Sequence, residues 1–228
     1  MTTTPIAIAH RGDPVAEREN TLAAFAAAVQ KGADMVELDL RRTRDGEVVV
    51  LHDARLTRLW AVDQAVADLD LTELKEIGEG TMRVPTLGEV LDAIDLPLMV
   101  DFTGGEVVEG AVRKVREAGA IGRSLFVTGN VGALRVLRAL APEARIGLTW
   151  TKPKAPPLSL LRELRAEFWN PAFGLITPER VDAMHAHGLK VSTWTVDQLS
   201  DMANVTRAGV DAVVSNRIGD LRRFLSPH

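Results

Sequence analysis

Short apolar runs alternate with helical patterns along the whole chain, and ionisable residues stand just after several of those runs. Together these features predict an α/β fold, a (β/α)8 TIM barrel distorted by a helix-free connection between its second and third strands. The runs lack strict in–out alternation, as expected for a parallel sheet covered by helices. Strand–helix repetition alone would equally fit an open doubly wound sheet. The polar residues break the tie. His10, Glu37, Asp39, His52 and Asp101 lie at or near the C-terminal ends of strands far apart in sequence. A barrel gathers such ends on one face, whereas an open sheet spreads them along an edge. Residues 1–228 are expected to form a single catalytic barrel domain, a length that one barrel accommodates.

The expected strands are Ile6–Ala9, Met35–Leu40, Val48–Leu51, Leu96–Phe102, Ser124–Thr128, Arg145–Thr149, Glu167–Asn170, Leu189–Thr195 and Asp211–Ser215. These exceed the eight barrel places, so one is auxiliary or is not a strand. Only Arg41 to Glu47 separates the second from the third. That is too short for a helical crossover, and Asp45–Gly46 reads as a tight turn. Between the strands, Asn20 or Thr21 caps a helix with Leu22, Phe25, Ala26 and Val29 on one face, and Gly32 ends it. Thr86 and Glu89 have capping-box spacing. Thr177–Pro178 starts a helix that Gly188 stops. Asp197 is read as the cap of the next helix, which ends near Gly209.

Composition narrows the function. The chain has no cysteine, which excludes disulfides, iron–sulfur clusters and thiolate zinc sites and fits a cytoplasmic location. The N-terminal stretch has no basic segment and too short an apolar run for a signal peptide. No apolar stretch reaches transmembrane length, so stable membrane insertion is not expected. The net charge of −4 argues against a nucleic acid partner. It leaves a small anionic substrate open, because local charges dominate in a pocket.

Four groups of residues carry candidate chemistry. His10-Arg11-Gly12 combines a proton carrier, a planar phosphate-binding fork and a residue that permits close backbone approach. In Glu37-Leu38-Asp39 the two carboxylates face the same side of a strand. Such a pair needs a hard cation such as Mg²⁺ or Ca²⁺, or an ion pair with Arg11 or Arg41. His52–Asp53 supplies a second imidazole, with a carboxylate able to fix its tautomer. Asp101 can complete a three-carboxylate site, and Thr103, two residues on, can face the same cavity. Trp194 is read as a pocket wall or as core. His185, His187 and His228 carry no catalytic expectation.

His10-Arg11-Gly12, Glu19-Asn20-Thr21, Glu37-Leu38-Asp39 and His52-Asp53, in this order, resemble the glycerophosphodiester phosphodiesterase family. The resemblance continues through Pro85-Thr86-Leu87-Gly88-Glu89-Val90-Leu91, Trp194-Thr195-Val196-Asp197 and Gly209-Val210-Asp211. It implies a distorted barrel that uses a divalent metal, Mg²⁺ or Ca²⁺. It also implies hydrolysis of a small-molecule phosphodiester to glycerol 3-phosphate and an alcohol, directly or through a cyclic phosphate; a monomer or homodimer is expected. By position it makes Glu37, Asp39 and Asp101 metal ligands, and His10 and His52 an acid–base pair in either order. Arg11 becomes the phosphate contact and Glu19 a supporting group; from their own positions, Thr103 and Trp194 are expected to contact substrate and Asp53 to support His52. Asp101-Phe102-Thr103 departs from the family's Glu-x-Lys, removing a positive charge near the substrate. Ser215-Asn216-Arg217 replaces Thr-Asp-x-Pro.

Two further readings stand beside this one. One is a lysophospholipase D or sphingomyelinase D type activity, which needs an apolar platform at the mouth, for which Leu59, Trp60 and Trp150 are the candidates. The other is a barrel that binds phosphorylated ligands with reduced turnover, for which Thr103 is the main support.

Overall fold

In a computed structural model, which describes residues 4–226, eight parallel strands close into a barrel. They are β1 (Ile6–Ala9), β2 (Met35–Arg42), β4 (Leu98–Phe102), β5 (Ser124–Thr128), β6 (Arg145–Trp150), β7 (Phe168–Pro171), β8 (Lys190–Thr193) and β9 (Ala212–Ser215). Each pairs with the next around the ring, and β1 closes it by pairing with both β2 and β9. The auxiliary ninth strand is β3 (Val48–Val50), which runs antiparallel to β2 with Leu40 opposite Val50 and Arg42 opposite Val48.

The outer layer consists of α1 (Leu22–Gln30), α2 (Leu87–Ala93), α3 (Val108–Glu117), α4 (Val131–Leu140), α5 (Leu158–Leu164), α6 (Pro178–His185), α7 (Leu199–Arg207) and α8 (Ile218–Leu225). The start signals resolve as the side chains dictate. The Thr21 hydroxyl, not Asn20, accepts from the Ala24 N–H and caps α1. Thr86 and Glu89 form a reciprocal capping box on α2. Thr177 caps α6 with Pro178 at its start. No helix among the described residues is long and apolar enough to cross a membrane.

Alternation along each strand divides the core in two. Outward-facing Val36, Leu38, Leu40, Val100, Phe102, Phe126 and Trp169 pack under the helices in the main cluster. Inward-facing Ile8, Met35, Met99, Leu125, Val127, Phe168, Ala212 and Val214 fill the barrel floor. The same inward rows turn polar as they climb: Met35 is followed by Glu37 and Asp39, Met99 by Asp101, and Phe168 by Asn170. The barrel is therefore apolar below and ionisable at its C-terminal rim. A third cluster, with Val49, Leu56, Trp60, Leu69 and Leu74, lies under the long segment between β3 and α2.

The helix-free connection explains how His52 reaches that rim. It does not end a barrel strand. Strand β2 overshoots the rim to Arg42, turns through Thr43–Gly46, and β3 descends beside it. The Leu51 N–H then meets the Asp39 carbonyl at 2.9 Å, which delivers His52 to the level of the carboxylates.

The turn after β1 requires glycine. Gly12 has φ +84°, and a Cβ there would lie 2.6 to 2.8 Å from the backbone and Cβ of Ala24 on α1. Gly46 has φ +90°, but a Cβ there would meet nothing within 4 Å. Gly12→Ala should therefore destabilise by about 2–4 kcal/mol, combining left-handed strain with overpacking. Gly46→Ala should cost only about 1–2 kcal/mol from strain alone. Denaturant unfolding of both variants checks this, and equal losses would refute the close-approach argument.

Candidate active site

The rim encloses a cavity of about 160 Å³ lined by His10, Arg11, Glu37, Asp39, His52 and Asp101, with Thr149, Asn170 and Trp194 on the far side. Met99, Val127 and Val214 form its apolar floor. The five ionisable residues singled out at strand ends in the sequence thus share one cavity with Arg11. Trp194 is part of the wall, and its indole N–H donates to the Asn170 carbonyl at 3.1 Å.

Glu37 and Asp39 are buried on β2, and Asp101 faces them from β4 in direct register with Asp39. One oxygen of each lies within 4.8 Å of the others. Burial pushes the Glu37 carboxyl well above the usual carboxylate range, and Asp39 and Asp101 push it further against the pull of Arg11. Burial and Asp39 likewise push Asp101 up to about 7. Arg11 alone does not neutralise the group. Its Nε lies 3.0 Å from Asp39 Oδ2, and its backbone N–H donates to Glu37 Oε2 at 2.9 Å. Three converging oxygen donors with unrelieved repulsion are the donor set a hard divalent cation takes. The cluster can coordinate such an ion.

Arg11 reaches this position because the chain turns sharply after β1, with Arg11 itself at φ +58°. Burial works against its charge, but Asp39, Glu37 and Glu19 outweigh it and raise the guanidinium's proton affinity. Glu19 Oε1 accepts from Arg11 at 2.8 Å. Asn20, also at positive φ, donates its side-chain amide to Asp39 Oδ2 at 2.8 Å. The Glu19-Asn20-Thr21 run therefore braces Arg11, orients Asp39 and caps α1, one task for each residue.

The two imidazoles have different partners. His10 Nδ1 lies 2.7 Å from Asn216 Oδ1, and the Asn216 amide donates to Asp197 Oδ2 at 2.8 Å. With the amide oriented by Asp197, the His10 proton sits on Nδ1 and Nε2 is free, 3.9 Å from Glu37 Oε2. Burial and then Arg11 lower the His10 proton affinity, while Asn216 opposes them. His52 Nδ1 instead lies 2.7 Å from Asp53 Oδ1. The Arg58 hydrogen bond, at 2.6 Å, and the His52 contact hold the Asp53 carboxyl down to about 2. Arg41 donates from Nε to the His52 carbonyl at 2.9 Å.

Several expectations are corrected. Thr103 does not line the cavity, because its hydroxyl donates to the Leu40 carbonyl across the β2–β4 seam. Asp197 does not cap α7, whose cap is Gln198. Its carboxylate accepts from the Ser215 hydroxyl at 3.0 Å and the Asn216 N–H at 2.8 Å as well as from the Asn216 amide. Trp60 and Leu59 pack in the cluster beneath the long segment and build no exposed platform, and the Trp150 indole donates to the Lys154 carbonyl. His185 pairs with Asp211 at 2.8 Å, away from the cavity. His228 lies outside the described residues. Arg41, a candidate ion-pair partner for the carboxylates, instead holds the His52 carbonyl, and Arg11 takes the pairing. Sequence reasoning missed the roles of Asn216 and Arg58. Only Asn216 had a signal, since it stands directly after a barrel strand.

The comparisons agree with this geometry. The profile of the glycerophosphoryl diester phosphodiesterase family matches residues 10–220. A glycerophosphodiester phosphodiesterase of Caldanaerobacter subterraneus subsp. tengcongensis is 32% identical, over 92% of this chain and 93% of its own. A phosphodiesterase of Oleispira antarctica, solved in complex with the product sn-glycerol-3-phosphate, superposes with a TM-score of 0.90 at 26% identity, covering 97% of both chains. The glycerophosphodiester phosphodiesterase of Thermotoga maritima shares the fold, with a TM-score of 0.85 at 22% identity over 97% of this chain and 98% of its own. With the family match spanning nearly the whole barrel and every rim group in one cavity, the chain belongs to the glycerophosphoryl diester phosphodiesterase family.

Proposed function

We propose that this chain, working as one catalytic barrel, hydrolyses glycerophosphodiesters to glycerol 3-phosphate and an alcohol. The observation that carries the reading is the meeting of two imidazoles, a guanidinium and three carboxylates around one small cavity. The Oleispira antarctica neighbour, which holds sn-glycerol-3-phosphate, supports the product assigned here. A cavity of this size suits a small polyol phosphate, with the alcohol portion left toward the open mouth.

Glu37, Asp39 and Asp101 would hold the divalent cation, with Mg²⁺ or Ca²⁺ preferred by an all-carboxylate set. When bound, that ion supplies polarisation of the phosphoryl oxygens and offsets the charge that grows on them. Arg11 binds a phosphate oxygen through its guanidinium. Trp194 forms a wall for the glycerol carbons. His10, neutral and free at Nε2, accepts the proton of the attacking oxygen, whether from water or from the neighbouring glycerol hydroxyl. His52, its ring held at Nδ1 by Asp53, donates a proton to the departing alkoxide.

Purified protein with Mg²⁺ or Ca²⁺ should release glycerol 3-phosphate from a glycerophosphodiester. His10→Ala and His52→Ala should each lower kcat by about 10²- to 10⁴-fold while unfolding at temperatures close to that of the parent. Full turnover in either variant would remove that histidine from the reaction.

Metal and pH should be linked. Without metal, the raised carboxyls bind more protons folded than unfolded between about pH 4 and pH 7. Stability of the metal-free protein should therefore fall as pH rises through that window. Divalent metal competes with those protons, so the rise in Tm on adding it should be larger at pH 8 than at pH 5. Differential scanning calorimetry with and without chelator reads this directly. A metal effect independent of pH would place the ion elsewhere.

A further inference from the structure

The two halves of the rim are joined by one guanidinium that the reaction above does not use. Arg58 lies on the single-turn helix Thr57–Trp60. Its Nε donates to Asp53 Oδ2 at 2.6 Å, and its terminal nitrogens donate to Glu19 Oε1 at 2.7 Å and Oε2 at 3.1 Å. Asp53 Oδ1 holds the His52 ring, and Glu19 Oε1 also accepts from Arg11. The contacts form a continuous line from His52 through Asp53, Arg58 and Glu19 to Arg11. Among these contacts, Arg58 is the link between the Asp53 side and the Glu19 side of the line.

We infer that Arg58 is a positioning residue that fixes the His52 ring through Asp53 and, through the Glu19 carboxylate it shares with Arg11, sets the phosphate-binding guanidinium. The inference rests on the proton-donor role proposed for His52. Two physical consequences follow. Without Arg58, Asp53 keeps one partner and its carboxylate is free to rotate away from the imidazole. Glu19 would then be left with Arg11 as its only guanidinium partner in this line, and would compete harder with substrate phosphate for it. A lysine cannot replace the fork, because one ammonium on a flexible stem reaches one carboxylate at a time.

The leaving group separates this role from general support of the fold. A p-nitrophenyl phosphodiester needs no proton on its departing oxygen, whereas an alkyl glycerophosphodiester does. The metal-loaded full chain is assayed with both substrates as parent, His52→Ala, Arg58→Met and Arg58→Lys. Arg58→Met is expected to lower kcat on the alkyl diester about 100-fold and to leave kcat on the p-nitrophenyl diester within about threefold. It is also expected to raise KM several-fold on both, the mark of a disturbed Arg11. Arg58→Lys should show the same leaving-group selectivity with roughly tenfold loss, and serves alone if the methionine variant does not fold. Equal losses on the two substrates in the Arg58 variants, or no loss, while His52→Ala still discriminates between them would overturn the inference. If His52→Ala itself loses both substrates alike, the donor role fails, and this inference fails with it.

Discussion

Three carboxylates held within 4.8 Å of one another in a buried rim cannot all carry charge without a cation. Much of the surrounding architecture answers that constraint. Arg11 is forced into the rim by consecutive left-handed residues after β1, which work only because Gly12 backs directly onto Ala24. Asn20 orients one carboxylate, Asp39, and Glu19 braces the arginine that pairs with it. The repulsion that remains on Glu37 and Asp101 favours a bound ion over an empty cluster. The rim is thus a site under electrostatic tension, placed on rigid strands whose outward faces are locked beneath helices.

The tension is tolerable because the barrel separates its two environments by height. The inward rows of β2, β4 and β7 begin with an apolar side chain and end with a polar one, so the floor beneath the carboxylates is apolar and packed while the rim is ionisable. The folded-back β3 adds the one component the parallel strands do not supply. Its descent from the overhang of β2 brings His52 to the same cavity as His10. The two imidazoles then line one cavity, one backed by an amide and the other by a carboxylate.

Much of this was legible in the sequence. The strands could be placed because their runs are apolar on both faces and bounded by glycine or proline. The pairing of Glu37 with Asp39 follows from strand alternation alone, and Asp101 from its place at the end of β4. Other features depended on tertiary contacts with no local signature. Asp197 looks like a helix cap because its spacing from α7 fits one, yet its carboxylate finds better donors on Ser215 and Asn216. Thr103 shares the parity of Asp101 but lies beyond the last residue of β4, where its hydroxyl closes onto Leu40. Arg58 sits in a segment whose one-turn helix is defined by packing around Trp60 rather than by periodicity, so nothing local marks it as a bridge.

The central claim is that one divalent cation on Glu37, Asp39 and Asp101 organises the phosphodiester between His10, His52 and Arg11. Anomalous diffraction from crystals grown with Mn²⁺ and glycerol 3-phosphate tests it most directly. The account predicts a single strong peak among the three carboxylates, with the phosphate oxygens reaching both that peak and Arg11. A peak elsewhere on the chain, or a phosphate bound away from both histidines, would contradict it.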